Sequence, residues 1–152
     1  MRRITWRRLP RWVAIGFVAL LLAIQLVPYG RDHDNPPVGA EPAWDSPRTR
    51  ELARVACFDC HSNETDWPWY SNIAPISWWM QDHVDEGRAE LNFSEWGRPH
   101  ETDEVAESIE EGEMPPGYYT LTHRSARLSA ADEQALVDGF VAMFGRGGHD
   151  DD

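Results

Sequence analysis

The chain has no lysine: all 14 basic residues among its 152 are arginine. Arg2, Arg3, Arg7, Arg8 and Arg11 precede the one long apolar run, and no acidic residue does. Beyond that run nine arginines face 26 carboxylates, a formal charge of −17. Binding to phosphate backbones needs a basic surface, which argues against a nucleic-acid partner. The acidic excess reads first as a solvated surface that keeps the protein soluble, and second as steering toward a basic partner. Cysteine is scarce too: Cys57 and Cys60 are the only two. No βαβ pattern and no internal repeat is found.

What is there begins with the apolar run, Trp12 to Pro28, free of charged residues. About 17 residues at the helical rise span roughly 25 Å, near the lower limit for crossing a bilayer. Trp12 and Tyr29 stand at its ends, where amphipathic rings favour the interface. The preceding arginines stay cytoplasmic by the positive-inside rule. A cleaved signal peptide is the alternative, but the run is long for one and no small-x-small site follows directly. The expectation is a single-pass anchor in the cytoplasmic membrane. The organisation expected is a basic cytoplasmic N-terminus (1–11), a transmembrane signal anchor (12–28), a flexible Pro/Gly-bearing linker (29–45), a helical domain (46–145) and a disordered tail (146–152). The domain then lies outside the cytoplasm, in the periplasm.

Within the domain stands Cys57-Phe58-Asp59-Cys60-His61. C-x-x-C-H reads as a c-type haem attachment site. Each thiol adds across a haem vinyl group to form a thioether, and the adjacent imidazole supplies the proximal iron ligand. With both cysteines so used, none remains for a separate disulfide framework. A redox dithiol, a zinc site and an inert pair are the rival readings. The first expects a βαβ setting. The second expects a close-spaced second ligand pair, whereas His83, His100 and His123 are scattered.

Helical patterning surrounds the motif. Ser46 and Pro47 are a good N-cap and first-turn residue, and the helix they open runs directly into Cys57. An aromatic-rich irregular stretch follows. Trp67, Trp69 and Tyr70 read either as walls of a haem crevice or as ordinary core. A helix is expected from about Ile76 to Asn92, with Ile76, Trp79, Met80, His83, Val84, Gly87 and Leu91 on one face. Met80 and His83 on that face are candidate iron ligands, though such residues more often serve as core filler and hydrogen-bonded structure. Arg88 pairs either with a haem propionate or with Glu86 or Glu90. Thr102 is expected to cap a short helix that Gly112 ends. Met114 then sits on the strap Glu113-Met114-Pro115-Pro116, which its prolines stiffen. A thioether on such a loop suits the sixth ligand position, with His83 and His123 as alternatives. Ser129 to Asp132 is a capping box that opens the last helix, and Gly145 ends it.

The stretch from Cys57 resembles the bacterial haem-binding domain family of small c-type cytochrome-like proteins. The resemblance is carried by Cys57, Cys60, His61-Ser62-Asn63, Thr65, Trp67-Pro68-Trp69-Tyr70-Ser71, Ala74-Pro75, Ser77-Trp78, His83-Val84, Gly87-Arg88 and Leu91-Asn92-Phe93-Ser94. Met114-Pro115-Pro116 and Leu128-Ser129 extend it over most of residues 50–144. It implies an all-α domain holding one covalent haem c, ligated by His61 and Met114. The expected function is a membrane-anchored monohaem cytochrome that passes single electrons to unidentified redox partners. A haem-based sensor with a labile sixth ligand is the alternative. An enzyme such as a peroxidase needs a distal base or arginine over open iron, and no clear pair stands out.

Overall fold

The computed structural model describes residues 9–146. The arginines at 2, 3, 7 and 8 and tail residues 147–152 lie outside them. Among the described residues there are seven α-helices: α1 (Leu9–Ile24), α2 (Pro47–Ala56), α3 (Phe58–His61), α4 (Ile76–Glu90), α5 (Val105–Glu110), α6 (Gly117–Thr122) and α7 (Ala130–Phe144). Two 3-10 turns, Trp69–Asn72 and Arg124–Ala126, complete the elements, and no strand occurs among the described residues. The all-α expectation holds. The chain divides into two compact units, and the division falls inside α4 after Asp82.

The smaller unit comprises the described residues up to His33 together with Trp67–Asp82. Its first element, α1, covers Leu9–Ile24, where the anchor was expected over 12–28. α1 is a 16-residue helix, and its apolar side chains, Trp12, Phe17, Leu20 and Leu22 among them, are exposed. At the helical rise it is about 24 Å long, against a hydrocarbon core of about 30 Å. Among the described residues no helix is long and apolar enough to cross a membrane. α1 stops early because Gln25 spends its amide on backbone. Its Oε1 accepts the Ala74 N–H at 3.0 Å and its Nε2 donates to the Ala74 carbonyl at 2.8 Å. Residues 25–27 tighten into turns instead of extending the helix. In the same unit Tyr29 donates to Asp82 at 2.6 Å, and His33 stacks on Trp67 at 4.9 Å.

The larger unit comprises Asp34–Asp66 and the described residues from His83 onward. It begins well before Ser46, because the linker residues are laid onto it. Gly39 N–H bonds the Ser94 carbonyl, Ala40 accepts from Trp96 N–H, and Glu41 forms a two-pronged pair with Arg50. Its centre is α2 crossing α7, with α5 packed on α7 and α3 on α2. Ser46 caps α2 by accepting from Thr49 N–H at 3.1 Å, and Ser129 caps α7 by accepting from Asp132 N–H at 3.2 Å. Gly139 lets the two helices meet: a Cβ there would sit 2.3 Å from Thr49 Oγ1. The core joins Leu52 and Ala53 of α2, Phe58 of α3, Ala106 and Ile109 of α5, and Leu136, Val137 and Phe140 of α7. Phe93, fully buried, stands among Trp44, Phe58, Trp96 and Phe140 with ring centroids 5.3–6.2 Å away. α5 departs from expectation at its start. Glu104, not Thr102, is its N-cap, and no side chain caps it.

Candidate functional site

The two cysteines fall at a helix junction. α2 ends at Ala56, Cys57 breaks the helical dihedrals, and α3 restarts at Phe58 for a single turn. That turn is closed by His61 N–H on the Cys57 carbonyl at 2.9 Å. Both thiols are free. Burial pushes the Cys57 thiol up to about 12 and the Cys60 thiol up to about 11, Asp59 adding to the latter. They therefore stand as neutral S–H groups near pH 7.

His61 is held from behind by the C-terminal end of α4 and the residue after it. Its Nδ1 lies 3.0 Å from the Gly87 carbonyl and 3.1 Å from the Leu91 carbonyl. Carbonyl oxygens only accept, so Nδ1 carries the proton and Nε2 keeps its lone pair. Burial lowers the pKa of the imidazole and keeps it neutral. A neutral ring with its far nitrogen fixed by a backbone carbonyl is the form in which histidine ligates a metal. Gly87 is required for this approach: a Cβ there would lie 2.7 Å from the Cys60 carbonyl oxygen.

Behind His61 runs a polar network that the sequence did not reveal as such. Asn63 Oδ1 accepts from Asn92 Nδ2 at 2.9 Å, and Asn92 Oδ1 accepts from Ser94 N–H at 2.9 Å. Ser94 Oγ in turn accepts from Asn63 N–H, and Phe93 N–H bonds the His61 carbonyl. Asn63, Asn92 and Ser94 are buried. Buried polar groups that satisfy one another fix a single geometry. The available signal was the pairing of polar clusters around Asn63 and Asn92, readable only once the two segments are adjacent.

The motif opens onto a cavity of about 530 Å³. That lies within the usual range of sites that bury a small-molecule ligand. Cys57, Cys60, His61, His83 and Met114 all line it, with Leu91, Phe93, Val105, Ile109 and Phe140 as its apolar part. Met114 is 37% exposed on its strap. The strap is pinned where Glu113 and Met114 donate their N–H groups to the Ser108 carbonyl. Tyr118 and Tyr119 of α6 also line the cavity. Six carboxylates do so too, Glu86, Glu90, Glu101, Asp103, Glu104 and Glu113, and no arginine does.

Other residues named from the sequence are placed elsewhere. Trp67, Trp69 and Tyr70 do not line the cavity; they belong to the smaller unit, and Trp69 is exposed. Arg88 does not line the cavity, and its bonds go elsewhere than to Glu86 or Glu90. Its guanidinium donates to the Ser62 and Asp34 carbonyls, Asn35 Oδ1 and Thr65 Oγ1, clamping the loop after the motif. His123 is absent from the lining; its ring stacks on Tyr119 at 4.1 Å and its Nδ1 meets the Tyr119 carbonyl. Met80 does not line the cavity either.

The residues fit a haem. Two thiols, a neutral imidazole with one nitrogen committed and a thioether share one largely apolar cavity. A helical domain built this way is a holder for a prosthetic group. The chain belongs to the haem-binding domain family, whose model matches residues 19–142. No curated protein matches the chain, and no solved structure does.

Proposed function

We propose that the domain carries one covalent haem c and works as a one-electron carrier held at the cytoplasmic membrane. The observation that supports it most is the fixed tautomer of His61 beside two free thiols in the cavity that also holds Met114. Cys57 and Cys60 would hold the group by thioether links, and His61 Nε2 and Met114 Sδ would hold its iron. Bound haem supplies the ferric–ferrous couple, and a thioether ligand favours the ferrous side. The chain's own residues orient it, cover it with Phe93, Ile109 and Phe140, and keep the imidazole unprotonated.

The apolar α1 segment anchors the domain, its shortness against the hydrocarbon core being met by local thinning of the bilayer. The arginine-rich start faces the cytoplasm, and the domain lies on the periplasmic side, where c-type attachment takes place. The partners are redox proteins. The carboxylates around the cavity favour a cationic one. No catalytic role is part of this proposal.

The visible spectrum of the dithionite-reduced protein, taken before and after carbon monoxide, tests the reading. A low-spin c-type spectrum that the gas leaves unchanged is expected. Cys57→Ala with Cys60→Ala should abolish haem staining on a denaturing gel, and retention of the stain would defeat the covalent assignment. The exposure of Met114 favours one alternative, a sensor whose sixth ligand yields to a small gas. A spectral shift with carbon monoxide in the wild-type protein selects it.

A further inference from the structure

α6 follows the Met114 strap directly, yet none of its residues is buried. Apolar packing therefore does little to hold it, and polar ties must. One of those ties reaches back to the attachment motif. The Tyr119 hydroxyl donates to Asp59 Oδ2 at 2.6 Å, and Asp59 lies between the two cysteines. The carboxylate is itself held, since its Oδ1 accepts the Asp66 N–H at 3.0 Å. The Asp59 carbonyl accepts from Thr65 Oγ1 at 2.7 Å, and Arg88 also holds that hydroxyl. The Tyr119 ring is braced by the stacked His123. Burial and the Asp59 bond both raise the Tyr119 pKa, so the phenol remains a donor.

We propose that Tyr119 is a positioning residue: its bond to Asp59 ties the Met114 strap to the attachment motif and keeps Met114 over the cavity. The strap is then fixed at both ends, by the Ser108 carbonyl before Met114 and by Asp59 after it. Four residues separate Met114 from Tyr119: Pro115 and Pro116, whose φ is restricted, and Gly117 and Tyr118, which belong to α6. Slack introduced at Tyr119 is thus passed to Met114 rather than absorbed between them. The inference rests on the proposed ligation by Met114, and its test separates the two.

The experiment is carbon monoxide titration of the reduced holoprotein, followed by its visible spectrum, for wild type, Tyr119→Phe, Asp59→Ala, Asp59→Asn and Met114→Ala. Tyr119→Phe keeps the ring and its stack on His123 and removes only the hydroxyl. It should bind carbon monoxide about tenfold more tightly than wild type, the scale of one hydrogen bond to a charged group. Asp59→Ala should match it, and it carries the test if Tyr119→Phe does not accumulate. Asp59→Asn retains an acceptor oxygen and should stay nearer wild type. Thermal midpoints taken in parallel separate a loosened strap from a generally weakened fold. If Met114→Ala binds the gas and Tyr119→Phe behaves as wild type, the tie is overturned while the ligand reading stands. If Tyr119→Phe binds the gas and Met114→Ala does not, Met114 is not the ligand and Tyr119 does not act through it, so both readings are overturned. If neither variant departs from wild type, both ideas fail.

Discussion

Single residues decide whether the imidazole and the thiols meet. Gly87 is the narrowest point, because its missing side chain is what lets α4 lie against the Cys60 carbonyl while its own carbonyl takes the His61 proton. A methyl there would lie 2.7 Å from the Cys60 oxygen and 3.1 Å from the Cys60 Cβ. Those atoms are backbone or close to it, so they cannot swing aside. Gly87→Ala should therefore cost about 1–3 kcal/mol and reduce haem incorporation as well. Denaturant midpoints and haem content per chain measure the two effects. Unchanged haem content with lowered stability would mean that His61 tolerates a shifted α4. The contrast with Arg88, the next residue, is instructive. In the sequence its partner reads as a propionate or as Glu86 or Glu90, whereas four acceptors within the larger unit hold it. Charge is visible in a sequence, but its partner is not.

At the scale of elements, the crossing of α2 and α7 carries the core and hence the floor of the cavity. Gly139→Ala would drive a methyl to 2.3 Å from Thr49 Oγ1 and 2.5 Å from its Cγ2. The expected cost is again about 1–3 kcal/mol. Thr49→Ala removes both clashing atoms, so the double variant should recover part of the loss. A double-mutant cycle showing simple additivity would contradict the close crossing. The segment before α2 is tied down by Glu41, which takes two bonds from Arg50 and one from Trp44. Arg50, first among the causes, holds the Glu41 carboxyl below its usual range. A depressed folded pKa gives stability that is present above the unfolded value of about 4.3. It is lost as pH falls through the lower folded value. The pair is partly exposed, so Glu41→Gln should cost about 1 kcal/mol or less near neutrality. The gap to wild type should close in acid. A gap that does not narrow at all as pH falls below the unfolded carboxylate range would refute this account.

The starts and stops of α2 and α7 were legible because Ser46, Ser129 and Gly145 are local signals that act on their own backbone. α6 was not legible, since six residues with none buried leave no periodicity to read. The end of α1 was not legible because Gln25 is committed to Ala74, 49 residues away, and a hydropathy window does not see such a contact. The same distinction runs through the site. Cys57, Cys60 and His61 are neighbours in the chain. That Met114 and His83 join them in one cavity follows from α4 and the strap after α5, and the sequence could only list both as candidates.

For the molecule as a whole, charge is the property that reaches farthest. Arg48, Arg50, Arg54, Arg98 and Arg146 are spent on carboxylates away from the cavity. The six carboxylates that line it are exposed, and none belongs to those ion pairs. Negative charge near an iron centre stabilises its more positive state, so on the proposed ligation the cavity should hold the reduction potential below what a thioether ligand alone would give. Salt screens exposed charges over about 10 Å at 0.1 M, so the potential should rise with ionic strength. The same field acts on whatever approaches. On the proposed function, electron exchange with a small cationic metal–ammine complex should slow as salt is added. Exchange with an anionic cyanide complex should quicken. Steering of this kind reaches about tenfold or more. Replacing Glu101, Asp103 and Glu104 by their amides should flatten both slopes while leaving the reduced spectrum unchanged, since none of the three is placed as a ligand. Stopped-flow rates across a salt series check this directly. Equal salt slopes for the two reagents would mean that electrons leave the domain somewhere other than its acidic cavity mouth.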